Sequence, residues 1–363
     1  MDSVSQNLLD WYDRHARSLP WRVPPDQSAK GNRPDPYHVW LSEVMLQQTT
    51  VAAVKSYFEK FLRLWPRLTD LAAASEEDVM KAWAGLGYYS RARNLKACAD
   101  TVAADYNGHF PTTQADLIKL PGIGDYTSAA IAAIAFGEKA AVVDGNIERV
   151  ITRLLADATP LPAAKEICRT EMSRMTPDDR PGDFAQAMMD LGATICTPKR
   201  PACALCPLKE HCSAYRLGTM EQFPVKLAKK AKPLRKGAAF VAIREDGAVL
   251  LTKRADKGLL AGMSGVPTTA WTASQDGATG AEAAPFRVPS GLQWTGCGTI
   301  RHTFTHFHLE LEIYRAADLP MGFCTPALDG WWSSATALPE EALPTVMKKS
   351  LSAAIPNAFK PKA

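Results

Sequence analysis

Four of the eight cysteines in this 363-residue chain fall in one run, Cys196, Cys203, Cys206 and Cys212, spaced x6, x2, x5 and interrupted by Pro198, Pro201 and Pro207. Four thiolates so close in sequence can wrap one compact centre only if the backbone turns sharply, which the prolines and the lack of a long apolar run favour. Structural zinc sites generally pair two short knuckles. A single C-x2-C with two wider arms favours an iron–sulfur cluster over zinc. Disulfides fit less well, because Cys98, Cys168, Cys297 and Cys324 are scattered and the opening residues, MDSVSQNLLDWYDRHAR, do not read as a signal peptide. The run therefore points to a reducing compartment, the cytoplasm.

At about 150 residues per domain, the length corresponds to two domains, each large enough to bury a core. The net charge is only +4, but Lys226, Lys229, Lys230, Lys232, Arg235 and Lys236 crowd one stretch. Such a run is either a solvated linker or a patch that tracks phosphates, and it marks a boundary in both cases. Before it the patterns are helical: 39–61, 76–85 behind Ser75 as N-cap, and 91–105. After it, 238–243 and 248–253 read as strands around a Glu245-Asp246-Gly247 turn. Thr305, Phe307, Leu309, Leu311 and Ile313 alternate with polar neighbours, as in a half-buried strand. Residues 270–289, rich in Ala, Gly, Ser and Pro, read as a long loop. The expected organisation is an all-α body over 1–225 that includes the cysteine loop (196–212), a basic linker at 226–236, and a smaller α/β module at 237–355. The most apolar stretch, 129–136, is far short of the roughly 20 residues that span a bilayer, so no membrane role is expected.

Leu120-Pro121-Gly122-Ile123-Gly124 lies between two helical patterns, 114–119 behind Thr113 and 126–136. Paired glycines permit a tight turn, and the free N–H groups of the following helix then face outward as a phosphate-binding device. A Rossmann turn fails, because a strand should precede it and a third glycine should stand at Thr127; a purely structural helix-turn-helix stays open. Twenty residues after Gly124, Asp144 stands between Val143 and Gly145 at a helix start. It is an N-cap, a functional acid, or both, since capping a helix and stabilising a sugar cation are compatible. Hairpin, downstream aspartate and four-cysteine loop in this order resemble the helix-hairpin-helix DNA glycosylases. The cysteine spacing is similar to that of the endonuclease III and MutY types rather than to the tighter ferredoxins. The resemblance implies a [4Fe-4S] cluster on Cys196, Cys203, Cys206 and Cys212, DNA contacts at Gly122 and Gly124, and Asp144 as the catalytic carboxylate with Asn146 beside it.

Members of that superfamily that also cut the strand carry a lysine two residues past the hairpin, as a Schiff-base nucleophile. Here that residue is Tyr126, and a phenol cannot form an imine. Trp40-Leu41-Ser42-Glu43-Val44-Met45-Leu46-Gln47-Gln48-Thr49 closely resembles the MutY-type adenine DNA glycosylases. The similarity continues in Leu19-Pro20-Trp21-Arg22, in residues 85–93 (GLGYYSRAR) and in 184–190 (FAQAMMD), and so covers nearly the whole chain. By periodicity alone Glu43 is a solvated helix residue, and Trp or Tyr at helical spacing is a core residue. The resemblance implies instead that Glu43 is the general acid, that Trp21, Arg22, Tyr126 and Gln186 surround an adenine pocket with Tyr126 in the catalytic group, and that Gln48, Thr49, Leu86 and Tyr88 lie at the DNA. Adenine leaves deoxyribose as a poor anion, so Glu43 must hold a proton near neutral pH, well above its usual value of about 4.3. Asp144 must stay ionised, and paired acids with divergent environments meet these opposite demands.

In the second module, Leu259-Leu260-Ala261-Gly262-Met263-Ser264-Gly265-Val266-Pro267 lacks the acids with which a Nudix hydrolase holds magnesium. The module resembles the Nudix-like C-terminal domain of the MutY type. Residues 301–308 (RHTFTHFH) resemble its lesion-reading loop, with Phe304, Thr305 and His306 implied as wedge and hydrogen-bonding groups. A metal site on His302, His306 and His308 is disfavoured, as the only nearby acid is Glu310. The expected reaction is excision of adenine opposite 8-oxoguanine or guanine in double-stranded DNA, without strand cleavage, by a monomer in the bacterial cytoplasm at the nucleoid. The alternatives are a glycosylase-lyase for oxidised pyrimidines and a non-catalytic iron–sulfur DNA-binding protein. Asp125 beside the hairpin, Glu148 where a basic residue is common, and a longer 23–34 loop depart from the pattern.

Overall fold

The computed structural model describes residues 3–228, 231–255, 258–323 and 329–359, so Lys229, Lys230 and Cys324 of the sequence reading lie outside the described residues. The chain divides into two compact units, but not by a single cut at the basic run. The stretch Ala74–Arg93, expected as part of the helical body, clusters with the C-terminal residues. Within that second unit, Arg93 donates to the Ala261 carbonyl at 2.5 Å. Among the described residues no helix is long and apolar enough to cross a membrane.

The helical unit includes Ser3–His15, Pro36–Leu46, Val51–Leu64, Asp125–Ile131, Gly145–Leu155, Ala164–Met175 and Pro181–Thr194. Local chemistry sets their ends. Asp35 caps the Pro36–Leu46 helix by accepting from Tyr37 N at 2.8 Å, with Pro36 at the position where a missing N–H costs nothing. The expected continuous helix over 39–61 is broken at Gln47–Thr50. Gln48 takes a left-handed conformation (φ 60°), and Thr50 then caps the Val51–Leu64 helix. Periodicity hid the break because Met45, Val54 and Phe58 on either side are all buried. The segment expected as one helix over 126–136 is α-helical to Ile131 and then widens into a π turn at Ala132–Phe136. Gly182 accommodates that turn: a Cβ there would stand 2.6 Å from the Ala133 carbonyl oxygen.

The second unit is a mixed sheet of β1 (Leu234–Arg244), β2 (Val249–Lys253), β3 (Ser264–Gly265), β4 (Thr295–Thr303), β5 (His308–Leu319) and β6 (Gly330–Ser333). Its order is β3-β2-β1-β5-β4, with β6 also pairing with β2. β1 and β5 run parallel in the centre, from Leu234↔His308 to Ala242↔Ala316. The expected alternation starts at Phe307 rather than Thr305: Phe307, Leu309, Leu311 and Ile313 are buried, whereas Thr305 is exposed in a turn before the strand. Val346, Met347 and Leu351 of the Thr345–Ala354 helix join this core. A second cluster, Ala242, Leu250, Ala316 and Leu319, is covered by Phe286, Val288 and Trp294, so the expected 270–289 loop and the residues just after it supply a core layer with one 3-10 turn at Ala281–Ala283. The all-α body and the α/β module are the fold class the sequence implied.

Candidate active site

The helical unit holds a cleft of about 1130 Å³. Trp21, Arg22, Glu43, Gln48, Thr49, Gly122, Gly124, Tyr126, Asp144, Asn146 and Gln186 all line it. These are eleven residues from five separate stretches of sequence, 21–22, 43–49, 122–126, 144–146 and 186. The Pro36–Leu46 helix packs against Asp125–Ile131 and thereby brings Tyr126 to Glu43. The hairpin between Leu120 and Gly124 makes that approach possible. Gly122 has φ +73°, and a Cβ on it would lie 2.5 Å from Asn94 Cβ, so only glycine fits the turn.

The Tyr126 hydroxyl donates to Glu43 Oε2 at 2.6 Å and also meets Met189 Sδ at 3.4 Å. Glu43 is 5% exposed. Burial pushes its carboxyl up to about 6, while the Tyr126 hydrogen bond and the Arg22 charge pull it down and the Asp144 charge raises it. The glutamate expected as a proton carrier is therefore shifted in the required direction. Burial also drives the Tyr126 phenol well above its ordinary range, so it stays a donor.

Asp144 caps the Gly145–Leu155 helix. Its Oδ1 accepts from Asn146 N (2.9 Å) and Ile147 N (2.8 Å), and its Oδ2 accepts from Asn146 Nδ2 (2.9 Å). Burial raises this carboxyl, and the backbone and Asn146 donors together with Arg149 oppose the rise. Asp144 is thus the N-cap that the sequence offered, and it also lines the cleft that holds Glu43.

Along the same helix, Arg149 and Arg153 sit one turn apart and tie it to the cysteine loop. Arg149 donates to Asn146 Oδ1 (2.8 Å), the Gly192 carbonyl (2.6 Å) and the Cys196 carbonyl (2.7 Å). Arg153, 1% exposed, donates to the Thr197 and Pro198 carbonyls and meets Cys196 Sγ at 3.3 Å. Cys196, Cys203, Cys206 and Cys212 are free thiols that line one cavity with Arg153, Ile195 and Tyr215. Among the described residues, no three or more His, Cys, Asp or Glu side chains form a group that could hold a single metal ion. A cubane cluster spreads its four thiolates over four irons, and a cavity lined by four sulfurs suits that donor set.

The remaining expected site residues belong to the second unit. Leu86 is buried, whereas Tyr88 is 45% exposed with φ 48°. The Arg91 guanidinium lies between the Trp83 ring (5.1 Å) and the Tyr88 ring (5.5 Å), which fixes Tyr88 while leaving it accessible. Thr305 and His306 are exposed at the tip between β4 and β5. Phe304 is half-buried, stacked on Phe307 at 4.7 Å and edge-on to His302 at 4.6 Å, so its ring supports the tip. Of the departures, Asp125 meets Arg169 at 3.4 Å and Glu148 meets Lys165 at 3.5 Å, both cations from the Ala164–Met175 helix, and the 23–34 loop folds into a short helix at Pro25–Ser28.

Asp190 closes the 184–190 segment, and nothing in the sequence alone assigns it a role. It is fully buried and accepts from Arg17 N (3.0 Å), Arg17 Nε (2.6 Å) and both terminal nitrogens of Arg22 (2.7 and 2.9 Å). The local signal is an acid among Ala187, Met188, Met189 and Leu191, since its partners stand 173 and 168 residues away.

Residues 41–175 match the family of HhH-GPD superfamily base excision DNA repair proteins, and residues 238–353 match the NUDIX domain. The chain is 36% identical to the adenine DNA glycosylase of Mus musculus, over 94% of this chain and 76% of the mouse protein. It is 35% identical to that of Homo sapiens, over 94% of this chain and 72% of the human protein. Among solved structures, a thermostable thymine-DNA glycosylase aligns with 59% of this chain and 95% of its own, at 30% identity and a TM-score of 0.52. With the hairpin, the acid pair in one cleft and the sheet module all present, the chain belongs to the adenine DNA glycosylase family of base excision repair enzymes.

Proposed function

We propose that the protein removes adenine mispaired with 8-oxoguanine from double-stranded DNA and hydrolyses the N-glycosidic bond without cutting the strand. The observation that carries this reading is the Tyr126–Glu43 hydrogen bond beside Asp144 in a single cleft. A base inside a duplex is out of reach, so the adenine rotates out of the stack, which costs a few kcal/mol and costs least in a weakened pair. The cleft is large enough to receive it. Tyr126 donates to Glu43 Oε2 and leaves Oε1 as the oxygen that carries the proton into the cleft. Glu43 protonates a ring nitrogen of the adenine as the bond to the sugar breaks. Asp144, held by the Asn146 and Ile147 backbone N–H groups and the Asn146 amide, stabilises the positive charge that grows on the sugar. Water completes the hydrolysis. Trp21, Arg22 and Gln186 wall the base, and Gln48, Thr49 and the Gly122-Gly124 hairpin meet the strand around it.

Cys196, Cys203, Cys206 and Cys212 would hold a [4Fe-4S] cluster. When bound, it supplies a rigid anchor for the loop that Arg149 and Arg153 fasten to the catalytic helix. Recognition of 8-oxoguanine falls to the exposed Tyr88, Thr305 and His306, with Phe304 and Leu86 as their support.

Single-turnover release of adenine from matched duplexes tests the substrate. Adenine opposite 8-oxoguanine should leave at least about 100-fold faster than adenine opposite thymine, the factor that a few kcal/mol of flipping cost supplies. Equal rates from both duplexes would refute the lesion preference.

A further inference from the structure

The general acid shares its cleft with a buried cation. Arg22 lines the cleft beside Glu43, and its side chain is only 7% exposed. An arginine free to turn toward a buried carboxylate forms a bidentate pair with it, and a carboxylate so paired stays ionised. That outcome would disarm Glu43. Here the Arg22 fork is occupied: its two terminal nitrogens donate to the two oxygens of Asp190, at 2.7 and 2.9 Å. Arg17 closes the remaining positions of the same carboxylate through its backbone N and its Nε. Glu43, for its part, has Tyr126 as its side-chain hydrogen-bond partner among the described residues.

We infer that Asp190 is a positioning residue for the reaction: by engaging both arms of Arg22 it keeps that cation from pairing with Glu43, so the glutamate remains available as an acid. Two features make the device specific. Asp190 has a side-chain exposure of 0%, so its charge is not dispersed by water. All four hydrogen bonds to it come from Arg17 and Arg22, so it is spent on orienting them rather than on capping or solvation. Burial alone would raise the Asp190 carboxyl, but Arg22 and Arg17 bring it below the ordinary range, and it remains the anionic partner.

The other groups around Glu43 do not substitute for it. Tyr126 donates to Glu43 and stays a neutral phenol, and Asp144 is committed to its helix cap. Of the other charged groups that line the cleft, Asp125 is paired with Arg169 and Glu148 with Lys165, while Arg17 is bound to Asp190. Tyr12, beside Arg22, is also kept neutral by burial. Of the cations that line the cleft, Arg22 is the one whose charge acts on Glu43, pulling its carboxyl down.

This inference rests on Glu43 being the acid, and the pH dependence of single-turnover adenine release separates the two ideas. Protonated Glu43 is the active form, so the rate falls as pH rises through its pKa. In Asp190→Asn that falling limb should move down by about one pH unit, costing roughly tenfold above the limb and little below it. Replacing both partners, Arg22→Gln with Asp190→Asn, should return the midpoint to the wild-type position or above, whatever the height of the plateau. A rate lowered by the same factor at every pH in Asp190→Asn, or an unmoved limb, would overturn the positioning role. Should Asp190→Asn fail to fold, the double variant decides alone, and a limb below that of the wild type contradicts the proposal. Glu43→Gln in the same assay tells the two failures apart. Loss of turnover there, with an unmoved limb in Asp190→Asn, sinks only this inference. Retained turnover in Glu43→Gln sinks the assignment of the acid itself.

Discussion

Asp144→Asn is expected to lower single-turnover adenine release by at least about 10³-fold, the scale on which removal of preorganised transition-state electrostatics acts. Binding to a duplex should persist, because the fold around position 144 tolerates the change. Both backbone donors, Asn146 N and Ile147 N, go to the same oxygen, Oδ1. An asparagine that places its carbonyl oxygen there keeps the helix cap, and asparagine is among the best capping residues. What is lost is the negative charge, together with the acceptor that Oδ2 offers to Asn146 Nδ2. Chemical quench of a pre-formed complex measures the rate, and a gel-shift titration measures the affinity. A variant that keeps full turnover would show that the aspartate is a cap and nothing more.

Glu43→Gln should be nearly as severe, with a loss of about 10²- to 10⁴-fold, the range of a positioned general acid. The amide is isosteric, and its oxygen still accepts from the Tyr126 hydroxyl, so the pocket keeps its shape. Its amide is far too weak an acid to protonate the leaving base. Burial places the Glu43 carboxyl near 6 in the free protein, and a bound duplex that excludes water drives it further up. The wild-type rate should therefore be flat at low pH and fall about tenfold per unit above the midpoint, whereas the residual rate of Glu43→Gln should lack that limb. A variant whose rate still falls with the wild-type midpoint would mean that another group carries the proton.

Much of this site is legible in sequence because its key residues are local anomalies. Glu43 is an acid in the apolar run Trp40 to Leu46, Asp144 is an acid set between Val143 and a glycine, and the four cysteines crowd one proline-rich loop. The residues that escaped are those whose partners are remote. Asp190 finds Arg17 and Arg22 across more than 160 residues, and no pattern within the Pro181–Thr194 helix names them. The Gln47–Thr50 break escaped for the opposite reason: apolar periodicity continues smoothly across it, and only the left-handed Gln48 and the Thr50 cap reveal two helices. In the second unit the alternation from Phe307 onward read as a strand because one face meets a single core. The parallel pairing of β1 with β5 did not, since it joins segments about seventy residues apart. The grouping of Ala74–Arg93 with that unit is likewise a matter of long-range contact.

The products formed from one labelled duplex bear most directly on a reaction driven by Glu43 and Asp144 with Tyr126 in place of a nucleophilic lysine. The duplex carries adenine opposite 8-oxoguanine, is labelled on the adenine strand, and is resolved with and without hot alkali and after borohydride. Hydrolysis predicts free adenine, a strand that stays intact until alkali cuts it at the abasic site, and no covalent protein–DNA adduct after reduction. Scission without alkali together with a reduced adduct would contradict it.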